Sequence, residues 1–157
     1  IKWVGSTGWA TWRKSWRLFE RNGEKLLAEL KEKKLTKAFD FNGKYPYTRM
    51  LKRQIAGRNN SWAIRWNASL FLNNKLSLNT GKSLIYNIGF DGSGMHSGSQ
   101  DFYNMGLFDG ELEIKKPEMI KESVDARKQF ENFYAKTNSF GAKVKRRLQR
   151  MAKGDFS

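Results

Sequence analysis

Two stretches of this sequence hold residue types that can do chemistry. The first is the loop Gly89-Phe90-Asp91-Gly92-Ser93-Gly94-Met95-His96. Its small residues let backbone N–H groups approach an anion closely. Asp91 and His96 add two candidate metal ligands, the imidazole suited to borderline transition metals and the carboxylate to magnesium or manganese. Alone, such a loop reads as a connector with an exposed His. Expected strand tips close by turn the reading toward a ligand site, because α/β ligand sites lie at strand ends. The second stretch is Asn59-Asn60-Ser61-Trp62-Ala63-Ile64-Arg65-Trp66. Asn, Ser and Arg at a helix start can face a ligand, and Trp62 and Trp66 offer flat apolar faces of the kind sugar rings pack on. From spacing alone, a capped helix with two core Trp is the plainer reading.

Two further features carry weaker signals. Trp9, Trp12, Trp16 and Phe19 are spaced three, four and three apart, one face of a helix, and read as core packing, with Trp9 near enough to the start to reach a site. Segment 140–152 places Phe140, Val144, Leu148 and Met151 on one face among Lys143, Lys145, Arg146, Arg147, Arg150 and Lys153. Such a helix can lie on an anionic membrane, contact nucleic-acid phosphates, or dock by its stripe with a solvated basic face.

The elements that must position these residues are mostly helical. Helices are predicted over 8–20, with Ser6 and Thr7 as caps, over 23–38, from Pro46 through Ile55 with Gly57 as terminator, and over 61–73 capped by Ser61. Two short strands, 76–79 and 83–87, are predicted where Leu76 and Leu78 alternate with polar residues and Leu84-Ile85-Tyr86 forms an apolar run. A long glycine-rich loop follows over 89–110. Helices return at 117–135 and 140–152. The expected organisation is a unit over 1–116 and basic helices over 117–157, packed on it or touching membrane.

Composition narrows the classes. Hydrophobic residues are 39% and aromatics 14% of the 157 residues, with six Trp and eleven Phe, too aromatic for a disordered tail. One His and no Cys exclude a Cys–His pair, and no nucleophile-elbow, Walker-type or zinc-ligand spacing is present. Lack of Cys fits a reducing compartment such as the cytoplasm. No apolar run approaches the length of a membrane span. Net charge is +15, from 30 basic and 15 acidic residues, which points to a polyanionic partner: nucleic acid, anionic lipid or a nucleotide diphosphate.

Read in order, Gly8-Trp9-Ala10-Thr11-Trp12, Ser61-Trp62-Ala63-Ile64-Arg65-Trp66 and Asn87-Ile88-Gly89-Phe90-Asp91-Gly92-Ser93-Gly94-Met95-His96 resemble the C-terminal, acceptor-side part of bacterial family 2 glycosyltransferases of the GT-A type. The resemblance covers roughly residues 5–96. It implies a helix-rich α/β fold with a small sheet and flanking helices. It also implies an inverting sugar transfer from a nucleotide-sugar donor to a glycan or lipid-linked acceptor in surface polysaccharide synthesis, with a divalent Mn or Mg ion, at the inner face of the membrane. On this resemblance Gly92, Ser93 and Gly94 wrap the donor diphosphate and His96 is a metal ligand. Trp9, Trp62 and Arg65 shape the sugar pocket. The family's acidic base falls at Asn59 or Asn60, where an amide cannot take a proton, so Asp91 is the nearest acidic substitute for Asn60. The family's Asp-x-Asp motif and nucleotide-binding βαβ units are absent from the sequence. The alternative is a non-catalytic basic module for nucleic acid or anionic membrane, with aromatics stacking on bases.

Overall fold

The structure is a computed structural model that describes residues 1–86, 106–113 and 118–139, together with positions 141, 142, 144, 148 and 151. Its helices run in the order α1 (Arg13–Trp16), α2 (Gly23–Glu32), α3 (Thr36–Phe39), α4 (Tyr47–Ile55), α5 (Trp62–Leu72) and α6 (Val124–Thr137). Helices α2, α4 and α5 pack against one another, and α3 lies on α4.

Each helix boundary has a local cause. Asn22, Ser61 and Ser123 accept the backbone N–H groups of Lys25, Ile64 and Ala126, so α2, α5 and α6 start on side-chain caps. At the other ends, α2, α4 and α5 close in one way. Lys34, Gly57 and Asn74 adopt positive φ. The N–H groups of Leu35, Arg58 and Lys75 then reach back to the carbonyls of Leu30, Arg53 and Leu70. This pattern satisfies carbonyls that would otherwise be orphaned. It also divides the segment predicted as one helix over 23–38, because Lys34 in the left-handed region turns the chain between α2 and α3.

The core is a single apolar cluster. Leu26 and Leu30 from α2, Leu51 from α4, and Ile64, Ala68 and Phe71 from α5 meet Phe39, Phe41 and Tyr47. Helix α5 is the central element, buried nearly all round at Ile64, Trp66, Asn67, Ala68, Ser69 and Phe71. Helix α6 closes the far side. Phe130 stacks on Phe41 at 5.9 Å and meets Trp3 at 5.0 Å, Tyr134 stands edge-on to Phe41 at 5.2 Å, and the Arg127 guanidinium lies 4.0 Å over the Phe41 ring.

Among the described residues no β-strand forms. This corrects the predicted strands at 76–79 and 83–87 and with them the α/β class. A GT-A fold is built on a central sheet, and the described residues are helices joined by irregular chain. The physical reason lies in the partners of these segments. Ser77 donates its N–H to the Ile1 carbonyl at 2.9 Å and accepts from the Ile1 amine at 3.1 Å, so it is engaged by the start of the chain. The Ser83 carbonyl accepts from the Phe108 N–H at 2.9 Å, while its hydroxyl donates to the Ile85 carbonyl. Leu78 is 86% exposed, so the Leu76/Leu78 alternation has no buried face to fix it. A hairpin without such a face is marginal in water.

The first predicted helix is also shorter than its aromatic spacing implies. Only Arg13–Trp16 is helical, Trp12 sits at the N-cap without a side-chain bond, and Ser6 and Thr7 cap nothing. Gly8 explains the difference. It adopts φ +55°, and a Cβ there would come within 2.6 Å of Ile85 Cδ1. The chain therefore turns at Gly8 and passes close to Ile85. Gly8→Ala should destabilise the fold by roughly 1–3 kcal/mol, from the left-handed conformation and the displaced Ile85, as read by chemical denaturation. In the 140–152 segment the described positions are helical, and Val144, Leu148 and Met151 are exposed, so the stripe is not docked at those positions. Phe140 lies outside the described residues.

Candidate functional site

The irregular chain over 1–12 crosses the N-terminal half of α5 and leaves a groove of about 1500 Å³ between them, with segments 74–79 and 120–122 along its edge. Its wall is an indole cluster. Trp9 stands 5.5 Å from Trp62, 6.0 Å from Trp16 and 6.1 Å from Trp66, and Trp16 stands 5.0 Å from Trp66. Trp66 is buried beneath the others. Trp16 and Trp62 keep part of their surface open, and Trp12, on the groove rim, is 80% exposed. Segment 1–12 carries Trp9 to this cluster as irregular chain that bends at Gly8, so the aromatic grouping arises without the helix that its spacing predicts.

A second aromatic group holds segment 1–12 in place. Trp3 Nε1 donates to the Tyr47 hydroxyl at 2.6 Å, and the Tyr47 and Tyr134 hydroxyls share a bond at 3.2 Å. Burial, and then the neighbouring Tyr134, hold the Tyr47 phenol well above its usual range, so it stays neutral. Burial also raises Tyr45, whose ring lies 4.3 Å from that of Tyr47. These phenols brace the groove as neutral groups.

The polar lining divides into committed and free groups. The Asn59 amide is committed: its Nδ2 donates to the Met50 carbonyl and its Oδ1 accepts from the Ser61 N–H, both at 3.0 Å. Asn60 is exposed on the groove wall and its side chain bonds no protein group among the described residues. The described lining holds Lys2, Lys75 and Lys121 and one carboxylate, Glu122, which accepts from the Lys2 backbone N–H at 2.8 Å. Just outside the groove, Arg13, Lys14 and Arg17 are exposed beside Trp12 and Trp16.

The residues expected to form a sugar pocket are only partly together. Trp9 and Trp62 pack on each other as described. Arg65 turns elsewhere: its Nη1 donates to the Arg21 carbonyl at 2.9 Å, its guanidinium lies 5.9 Å from the Phe19 ring, and its Nε is buried without an acceptor. Asn60 has no carboxylate role, since an amide cannot accept the proton. Asp91, Gly92, Ser93, Gly94 and His96 lie outside the described residues. Sequence reasoning missed Asn67, a buried amide on the groove floor that accepts from the Val4 N–H at 3.2 Å. Its signal was faint: a polar residue inside an otherwise apolar helical run.

The expected Mn or Mg ion finds no support here. Among the described residues no group of three or more His, Cys, Asp or Glu side chains could hold a metal. No helix among them is long and apolar enough to cross a membrane. No protein-family model, curated protein or solved structure matches the chain. The described residues thus lack the sheet of a GT-A fold and any metal-holding cluster. The readings as a family 2 glycosyltransferase, as an inverting nucleotide-sugar enzyme and as a metal-dependent protein are corrected on those grounds.

Proposed function

We propose that this chain is a non-catalytic module that binds single-stranded nucleic acid. The observation that carries the reading is the exposed run Trp12, Arg13, Lys14, Trp16 and Arg17, which starts with Trp12 on the rim of an indole-lined groove and continues just outside it. Single strands are held by flat aromatic faces on which bases stack and by cations that follow the phosphates. Both components occur together along this run. Every base has a π-face, so an indole platform accepts strands of varied sequence, while paired bases within a duplex hide those faces. The +15 net charge adds long-range attraction for a polyanion.

The test is fluorescence anisotropy with labelled single strands of about 12 nucleotides, a length within the usual range of such sites. Binding should weaken steeply with salt. Contact with three to five phosphates gives a slope of about −2 to −3.5 in log affinity against log salt. A duplex of the same length should compete poorly. No binding at about 50 mM salt, where the electrostatic contribution is strongest, overturns the reading. So does retention on phosphatidylserine vesicles without oligonucleotide binding, which would make lipid headgroups the polyanion.

A further inference from the structure

We infer that Arg49 and Arg53 on α4, with Arg58 just past its end, form a second phosphate-contacting surface over which a bound strand leaves the groove. The inference rests on the nucleic-acid reading above and extends its binding path. Tyr47 and Met50 of α4 line the groove. Residues three and four apart are neighbours on a helix surface, so Arg53 lies one turn beyond Met50 and Arg49 lies beside Arg53. The chain after α4 folds back onto the same place. The Arg58 N–H donates to the Arg53 carbonyl at 2.8 Å, and the Asn59 amide donates to the Met50 carbonyl at 3.0 Å. Asn59 and Asn60 then continue as groove wall. The backbone thus ties Arg58 between α4 and that wall.

Charge identifies the occupant. All three arginines are exposed, and none forms an ion pair among the described residues. Helix α4 contains no acidic residue, whereas α2 sets Glu29 against Lys33. Arg49 and Arg53, four residues apart, repel each other. Arg49 also stands in the first turn of α4, where the helix dipole disfavours a cation. The isolated helix gains nothing from this arrangement, and an anion bound along it offsets both effects. A guanidinium presents a fork of donors that matches two phosphate oxygens. The α1 run borders the groove at Trp12 and Ser15, and α4 borders it at Met50. One strand stacked on the indoles therefore meets cations of both helices.

The experiment measures the salt dependence of binding for single strands of about 4 and about 12 nucleotides, both within the range of such sites. It compares the full chain with Arg49→Gln/Arg53→Gln. Glutamine keeps a helix-forming, exposed side chain and removes the charge. For the longer strand the slope of log affinity against log salt should fall in magnitude by about 1.4, from about 0.7 for each of two phosphates. Its affinity should fall roughly two- to thirtyfold, the range of two exposed charge contacts. The shorter strand, held on the α1 stacking run, should keep its affinity and slope. Lys31→Gln/Lys37→Gln removes the same charge from α2 and α3, outside the groove lining, and should leave both strands unaffected. An unchanged slope for the longer strand, an equal loss at both lengths, or an equal loss in the Lys31/Lys37 control overturns the α4 surface and leaves the module's binding intact. Failure of every strand to bind the wild-type chain overturns the nucleic-acid reading and this inference with it. Arg58→Gln, outside every helix, should lower the slope for the longer strand by about 0.7. An unchanged slope there overturns the surface even where the double variant is unstable.

Discussion

Trp12→Ala lowers affinity for a single-stranded oligonucleotide by roughly five- to hundredfold and leaves the thermal midpoint unchanged. Two observations separate these effects. Trp12 lies on the groove rim and is 80% exposed, so its removal leaves no cavity. Surface substitutions of this kind change stability by about 0.5 kcal/mol or less. Stacking a base on an exposed aromatic is worth about 1–3 kcal/mol by alanine substitution, which sets the expected loss in binding. Trp62→Ala should also weaken binding, yet it removes a ring that packs 5.5 Å from Trp9, so part of its effect belongs to the wall itself. Anisotropy titration and a thermal melt on the same preparation distinguish the two. If Trp12→Ala binds oligonucleotides as tightly as wild type, the stacking platform is not the binding site.

Leu30→Ala costs about 2–5 kcal/mol, while Leu78→Ala stays within about 0.5 kcal/mol, both by urea or guanidinium unfolding. Leu30 is wholly buried in the cluster where α2, α4 and α5 meet, and the neighbouring rings Phe39 and Phe71, 5.3 Å apart, collapse poorly into the space left. Leu78 is 86% exposed and has no cavity to leave. The pair also tests the architecture. A sheet built from 76–79 would bury one face of that segment, and Leu78→Ala would then rival Leu30→Ala. Similar losses from the two substitutions would restore the predicted strand and displace the helical arrangement.

Local rules made several elements legible. Ser61 reads as the cap of the helix that follows, and it accepts the Ile64 N–H, so α5 starts at Trp62. Gly57, predicted as a terminator, ends α4 in the left-handed conformation that glycine tolerates best. Leu26 and Leu30, four residues apart and so on one face of α2, are both buried. Other elements misled for equally local reasons. Lys34 and Asn74 take positive φ without being glycine, so two helix ends carry no clear punctuation. The Trp9–Phe19 spacing matches a helical face, yet only Arg13–Trp16 is helical and the Trp9, Trp16 and Phe19 rings meet largely through irregular chain. Periodicity reports that residues share a side, and it is silent on whether one helix or irregular chain puts them there. The apolar alternation at Leu76 and Leu78 covers four residues, too short to distinguish a strand from loop chain.

The candidate site was less legible than the fold because its parts are distant in sequence. The sequence by itself determined an aromatic-rich and strongly basic chain, the basis on which a polyanionic partner is proposed, since charge and composition act without regard to position. It also determined the caps and the apolar faces of the central helices, whose causes lie within one or two turns. Only the tertiary structure decided which indoles stay open. Trp66 is buried and Trp12 exposed although both belong to the same residue type and both sit in Trp-rich runs. Only the tertiary structure placed Asn67 against Val4, 63 residues away. Burial and hydrogen-bond commitment depend on which segments meet, and a groove exists only once they have met.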